Sequence, residues 1–148
     1  MFRLYSKGCE YAIRALQHFP AEADSRVAFR ELCRKARIPQ HFGRKMFRTL
    51  VEKKILEAVT GPRGGYRFSR PPDSISLLDV IHAIDGDQAL DICILGKTVC
   101  DPGRLCALHD TWVTAKQTLL PELKAHTLAD LMRKGGGALR GRRKRRSR

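Results

Sequence analysis

Three cysteines, Cys93, Cys100 and Cys106, occur in this 148-residue chain with six and five residues between successive members, and His109 follows the last at i+3. If Cys106 and His109 lie on a helix, thiolate and imidazole share one face, and a loop containing Gly96, Pro102 and Gly103 can fold the other two sulfurs toward them. Three thiolates and one imidazole suit an iron-sulfur cluster or tetrahedral zinc, and coordination chemistry alone does not choose between these. A blander reading competes, because a buried thiol is also an ordinary small hydrophobe. That reading fits Cys33, which shares a helical apolar pattern with Phe29, Leu32 and Ala36, and it is the simpler role for Cys9. It fits the loop cysteines less well, since only Ile92, Ile94 and Leu95 flank Cys93. The amino terminus lacks the apolar core of a secretory signal, so clustered thiols point to metal or redox chemistry rather than to structural disulfides.

The second chemical feature is positive charge. The chain has a formal charge of +14, and its distribution is informative. Between Arg26 and Lys54 ten Lys or Arg stand against Glu31 and Glu52, and residues 135–148 add seven basic residues and no acid. Such clustering attracts polyanions, and phosphate neutralisation with counterion release is the usual source of nucleic-acid affinity. Within the basic segment His41, Arg44, Lys45 and Arg48 recur at i, i+3, i+4 and i+7, with Phe42, Met46, Phe47, Leu50 and Val51 forming an apolar stripe on the other side. Arg44 is the strongest candidate for a base contact, because a guanidinium pairs bidentately with guanine. Arg63 is placed to reach the adjacent minor groove or backbone, and Lys53 and Lys54 to touch phosphates. A merely solvated face is the competing reading for each.

These side chains need elements to position them. Helical spacing runs from about Gly8 to Phe19, where Pro20 ends it, and again through Phe29 to Ala36. Arg37-Ile38-Pro39 breaks the pattern, and a further helix follows from about Gln40 to Lys54. Two helices joined by a short turn have the layout of a helix-turn-helix, whose second member enters the major groove. Runs at 56–60 and 66–69 flank Gly61-Pro62-Arg63-Gly64-Gly65 and read as a two-stranded wing. Its glycines would supply positive backbone dihedrals and close approach to a phosphate backbone. Ser76 and Asp79 form a capping box for a helix that should bury Leu77, Val80, Ile81 and Ile84 before Gly86 stops it. Periodicity then lapses until Leu105, Leu108, Trp112, Ala115, Leu119 and Leu123 mark an amphipathic helix about 30 Å long. Pro121 should kink or shorten it, and its stripe should be buried against a second copy. Thr127 and Asp130 cap a last short helix.

The expected class is mainly α with a small β-wing. Residues 1–86 form the winged helix-turn-helix, 87–104 a cysteine-bearing sensor loop, 105–134 the dimerisation helix and short terminal helix, and 135–148 a disordered basic tail. At this length a large multidomain enzyme is excluded. No apolar run approaches the roughly 18 residues of a membrane helix, so the expected location is the cytoplasm, with no membrane partner. Neither a Cys-x-x-Cys pair nor a phosphate-cradling loop accompanies the thiols, which argues against an enzyme.

Ser6-Lys7-Gly8 with Tyr11-Ala12, the wing Gly61-Pro62-Arg63-Gly64-Gly65-Tyr66, the run Val80-Ile81-His82-Ala83-Ile84-Asp85-Gly86 and the three-cysteine loop form a specific combination. Over about residues 1–134 the chain resembles the bacterial winged-helix regulators of the iron-sulfur cluster regulator and nitric-oxide-sensitive repressor type, in the Rrf-two superfamily. The resemblance implies a homodimeric transcriptional regulator on a pseudo-palindromic double-stranded DNA operator, responsive to iron-sulfur status, redox state or nitric oxide. Cys93, Cys100 and Cys106 match the family's three cluster ligands, and His109 matches the histidine that completes a two-iron two-sulfur site; a four-iron four-sulfur cluster is the other possibility. Other members recruit a carboxylate near the first helix, where Glu10 stands here. The six residues between the first two cysteines depart from the commonest spacing of five. The rival is a zinc-stabilised winged-helix adaptor, or a structural DNA- or RNA-binding protein, without redox sensing.

Overall fold

The structure, a computed structural model, describes residues 4–20, 22, 25–96, 98–103 and 106–134. The tail from Gly135 onward and Leu105, the first residue of the expected stripe, lie outside these.

Helix α1 (Lys7–Leu16) begins at Ser6, whose hydroxyl accepts the Cys9 N–H at 3.1 Å. Asp85 fixes that cap, accepting the Ser6 N–H at 2.7 Å and bonding its hydroxyl. Small buried residues, Cys9, Ala12 and Ala15, allow neighbouring helices to approach α1 closely. The helix ends three residues short of the predicted Phe19. Residues 17–19 tighten instead into a turn, with the His18 and Phe19 N–H groups bonded to the carbonyls of Ala15 and Leu16. Phe19 is still buried, against Phe68 at 4.8 Å.

Helix α2 (Phe29–Ala36) ends at Arg37, which adopts a left-handed φ of 55°, and α3 (Gln40–Glu52) follows after Pro39. Strands β1 (Leu56–Val59) and β2 (Gly65–Phe68) pair antiparallel, Leu56 with Phe68 and Val59 with Gly65. A third, one-residue strand was not legible in the sequence: Val27 exchanges both backbone hydrogen bonds with Tyr66, each at 2.9 Å. After a 3-10 turn at Pro72–Ser74, α4 (Leu77–Asp85) carries the predicted Ser76–Asp79 capping box and stops at Gly86, φ 93°. Of its expected core residues Val80 and Ile81 are buried, Leu77 and Ile84 are half-buried, and Ala83 joins the buried set.

Helix α5 (His109–Ala125) starts at His109 rather than Leu105 and continues four residues past Pro121, so the proline does not shorten it. Trp112 is its buried residue, Leu120 and Leu123 pack on the core, and Ala115 and Leu108 are exposed. Helix α6 (Leu128–Lys134) is capped as expected: the Thr127 N–H donates to Asp130 at 2.9 Å, and the Asp130 N–H to the Thr127 hydroxyl at 3.3 Å. Leu128 is fully buried in the same core as Phe47, Leu50 and Ile81. The Leu77 N–H bonds the His126 carbonyl and the Leu128 N–H the Ile75 carbonyl, so the far end of α5 is sewn to the start of α4. Burying a leucine of this kind is worth about 1.5–3 kcal/mol. Among the described residues no helix is long and apolar enough to cross a membrane.

Candidate nucleic-acid interface and cysteine loop

Helix α3 buries Gly43, Met46, Phe47 and Leu50, which leaves His41, Arg44, Lys45 and Arg48 exposed along its other side. Phe42, placed by its spacing in the apolar stripe, is instead 39% exposed and lies edge-on to Tyr11 at 5.3 Å. Gly43 takes the place in the stripe. A Cβ there would stand 3.0 Å from the Cys33 sulfur and 3.2 Å from the Phe29 ring, so its smallness sets how closely α2 crosses α3. Among the described residues none of His41, Arg44, Lys45, Arg48, Lys53, Lys54 and Arg63 is in an ion pair. Two nearby acids are engaged by other bases, Glu31 by Lys35 at 2.6 Å and Glu57 by Arg67 at 2.9 Å. The α3 face is therefore left with unneutralised donors.

The wing is pinned to α2 and α3 by aromatic packing. Phe47 stacks on Tyr66 at 4.8 Å, and Phe29 meets Phe47 edge-on at 5.5 Å. Of the three wing glycines only Gly61 has a positive φ, 103°. Gly64 and Gly65 are glycine for another reason: a Cβ would stand 2.6 Å from the Val59 carbonyl oxygen and 2.3 Å from that of Val27. The crowding comes from the protein's own backbone. Arg63 is exposed at the tip, and Lys53 and Lys54 are exposed at the end of α3. Lys54 carries a φ of 56°, and its carbonyl accepts the Ser69 hydroxyl.

The loop after α4 is a small hairpin. The Cys93 N–H donates to the Thr98 carbonyl at 2.9 Å and the Cys100 N–H to the Asp91 carbonyl at 2.8 Å, with Ile92 bridged to Val99. This register, which periodicity could not reveal, brings the first two cysteines together. The Cys100 sulfur lies 3.2 Å from His109 Nδ1, and the Cys100 and Cys106 thiols are near enough to Cys93 to influence its ionisation. The Leu95 backbone N–H, aided by the two neighbouring thiols and the Gly96 N–H, holds the Cys93 thiol below its ordinary value. Loss of solvent, then the nearby Cys93 charge, pushes the Cys100 thiol up. Donor chemistry fits an iron-sulfur cluster, yet the four side chains are gathered without being shaped into a shell: among the described residues no three His, Cys, Asp or Glu stand in ion-holding geometry. Glu10 is held on α1 by Lys7 at 2.8 Å and Arg14 at 2.7 Å. Cys9 and Cys33 are core residues as expected, and burial pushes the Cys9 thiol up to about 12. Trp112 was expected only as part of an apolar stripe, but its indole N–H donates to the Ile92 carbonyl at 3.0 Å and ties the hairpin to α5.

A sequence profile for the Rrf2 family, described as iron-dependent transcriptional regulators, matches residues 5–134. The HTH-type transcriptional regulator IscR of Photobacterium profundum is 30% identical over 132 residues, covering 88% of this chain and 76% of that protein. Among solved structures, CymR, the global cysteine regulator of B. subtilis, superposes with a TM-score of 0.75 at 16% identity, over 90% of this chain and 98% of that one. T. potens IscR superposes with a TM-score of 0.66 at 19% identity, over 88% and 86%. The fold is that of these winged-helix proteins, and the relatives are transcriptional regulators rather than enzymes. The chain belongs to the Rrf2 family of DNA-binding transcriptional regulators.

Proposed function

We propose that the chain is a homodimeric operator-binding regulator whose DNA affinity is set by an iron-sulfur cluster held at the cysteine hairpin. The observation that carries this reading is the gathering of donors there: Cys100 beside His109 at 3.2 Å, with the Cys100 and Cys106 thiols near enough to Cys93 to influence its ionisation. Cys93, Cys100 and Cys106 would hold the cluster with His109 as fourth ligand, a set consistent with a two-iron two-sulfur centre. Glu10, already engaged by Lys7 and Arg14, is the less favoured fourth ligand. When bound, such a cluster supplies one-electron redox chemistry and reactivity toward oxidants and nitric oxide.

On the DNA side His41, Arg44, Lys45 and Arg48 face the major groove, Arg44 pairs with a guanine, Arg63 reaches the minor groove or backbone, and Lys53 and Lys54 meet phosphates. The exposed positions of all seven support these roles. Two copies joined through α5, where Ala115 is exposed and Leu119 half-buried, would read half-sites about 34 Å apart in the cytoplasm. The organisation follows: residues 1–86 read DNA, 87–104 sense, 105–134 pair the copies. Coupling runs through α5. Its far end is fixed to α4 by the His126 and Leu128 backbone bonds, while its near end meets the hairpin through Trp112 and through Lys116, 3.8 Å from Asp91. A hairpin that changes shape would tilt α5 about its anchored end and alter the spacing of the recognition helices.

Anaerobic purification with iron and sulfide analysis, a visible spectrum and operator titrations tests this. A brown protein whose operator affinity changes at least tenfold on cluster loss is expected. Zinc in a colourless protein, or equal affinity with and without cluster, would overturn the sensing role.

A further inference from the structure

Phe29, the first residue of α2, packs half-buried against the core. Its ring is held between two steeply inclined neighbours, meeting Phe47 at 85° and 5.5 Å and Tyr66 at 66° and 6.4 Å. Gly43 leaves room for it on α3, where a Cβ would stand 3.2 Å from the ring. Over the ring lies Arg44, its Cζ 5.7 Å from the centroid, on the exposed face of α3. Among the described residues no acid pairs with Arg44, and Glu31, the acid on α2, is taken by Lys35.

The choice of partner has a chemical consequence. A carboxylate holding Arg44 would occupy its N–H donors, whereas an aromatic face attracts the guanidinium through its π-system and leaves the edge donors available. An arginine free to rotate must give up rotamers when it binds a base, and one already laid on a rigid ring has fewer to lose.

We infer that Phe29 is a positioning residue for base readout, its ring face pre-orienting the Arg44 guanidinium so that the edge N–H groups meet guanine. This rests on the placement of Arg44 in the major groove. Selection of bound duplexes from a randomised pool with the full chain defines a preferred site, and affinities for single-base-pair variants of that site and for an unrelated duplex then test both ideas. Arg44→Ala should flatten discrimination at one guanine-containing pair by about tenfold. Phe29→Leu should narrow discrimination at the same pair by about two- to fivefold, the worth of an exposed cation–π contact, with other pairs and the unrelated duplex unaffected. Phe29→Tyr, which keeps the ring, should restore it, and Phe29→Leu should add nothing to Arg44→Ala. In the wild type, ring current should shift the Arg44 side-chain protons upfield, a readout that does not depend on any variant folding. An unchanged Arg44→Ala profile would overturn the groove placement and the platform together. A positional Arg44→Ala effect beside a Phe29→Leu loss that is uniform or absent, or Arg44 protons at ordinary shifts, would overturn the platform alone.

Discussion

Residues 26–69 and residues 87–108 of this chain are held in place by different means. In the first, Leu32, Phe47 and Leu50 are fully buried, three aromatic rings interlock across two helices and a strand, and the wing is paired on both edges of β2. In the second, Leu90 is the buried residue among those described, and Ile92, Leu95 and Val99 are 41%, 66% and 53% exposed. A close-packed core of this kind fixes the shape of residues 26–69. Among the described residues the hairpin rests on a few backbone hydrogen bonds, the Trp112 indole N–H and the Lys116–Asp91 pair, so a ligand bound to its sulfurs would meet little packing that resists a change of shape. The proposed sensing role would require that asymmetry, with a rigid reader and an element of low local stability that a ligand can reshape.

Replacing Cys93, Cys100 and Cys106 together by alanine should therefore have the largest effect of all on one region and little on the other. Visible absorbance of anaerobically purified protein should vanish, while the unfolding free energy stays within about 0.5 kcal/mol of the cluster-free wild type. An absorption spectrum beside a urea titration measures both. If stability collapsed instead, the thiols would be core residues and the contrast between the regions would fail.

Glycine substitutions sharpen the contrast by the opposite route. At Gly65 a methyl group would stand 2.3 Å from the Val27 carbonyl oxygen, with nothing but backbone to yield, whereas at Gly96 the nearest atom is 3.8 Å away. Gly65→Ala should cost about 2–3 kcal/mol, and Gly96→Ala less than about 0.5. Equal losses in thermal or denaturant unfolding would mean that the hairpin is packed as tightly as the wing.

The same division governs what could be read before the structure. The helix-turn-helix, the wing and the Ser76 and Thr127 caps were legible because each leaves a local signature, a 3.6-residue period or a capping residue three before its partner. Val27 was not, because one residue in a strand has no period and its pairing with Tyr66 is set by the chain returning from afar. Gly43 and Phe42 exchanged places for a related reason: spacing identifies a face but not how closely a neighbour crosses it. The sequence offered Cys93, Cys100, Cys106 and His109 as candidate donors, but not the register that brings Cys93 and Cys100 together, since no repeating pattern encodes the Ile92–Val99 bridge. Trp112 shows the cost of reading by period alone, since an indole placed in a stripe also carries a donor that needs a partner.

Charge gives a third, smaller contrast. Lys53→Ala should weaken binding to all duplexes by a similar factor and lower the slope of log affinity against log salt by about 1, as expected for one lost phosphate contact. Asp101→Asn, in the hairpin, should leave that slope unchanged. An effect of Lys53→Ala confined to one sequence would instead place this lysine against a base.

The smallest expected effect lies at the joint between the two regions. Asp130 caps α6, and the Thr127 backbone N–H, then its side chain, and then Arg133 hold its carboxyl below the ordinary value of 3.8. A depressed folded-state pKa means that the carboxylate contributes stability above about pH 4, where it is also ionised in the unfolded chain, and loses that contribution as pH falls through the lower folded-state value. Acid should therefore loosen the α6 cap and with it the anchored end of α5, while the ring-packed wing, which has no such group in its core, stays closed. Hydrogen exchange at acid pH should show faster opening at Leu128 and Leu131 than at Phe47 or Tyr66. Asp130→Asn, which removes the titration, should flatten the pH dependence at the α6 amides alone. Were Phe47 and Leu131 to open together as pH falls, α5 would have no fixed end about which to tilt, and the hairpin could not act through it.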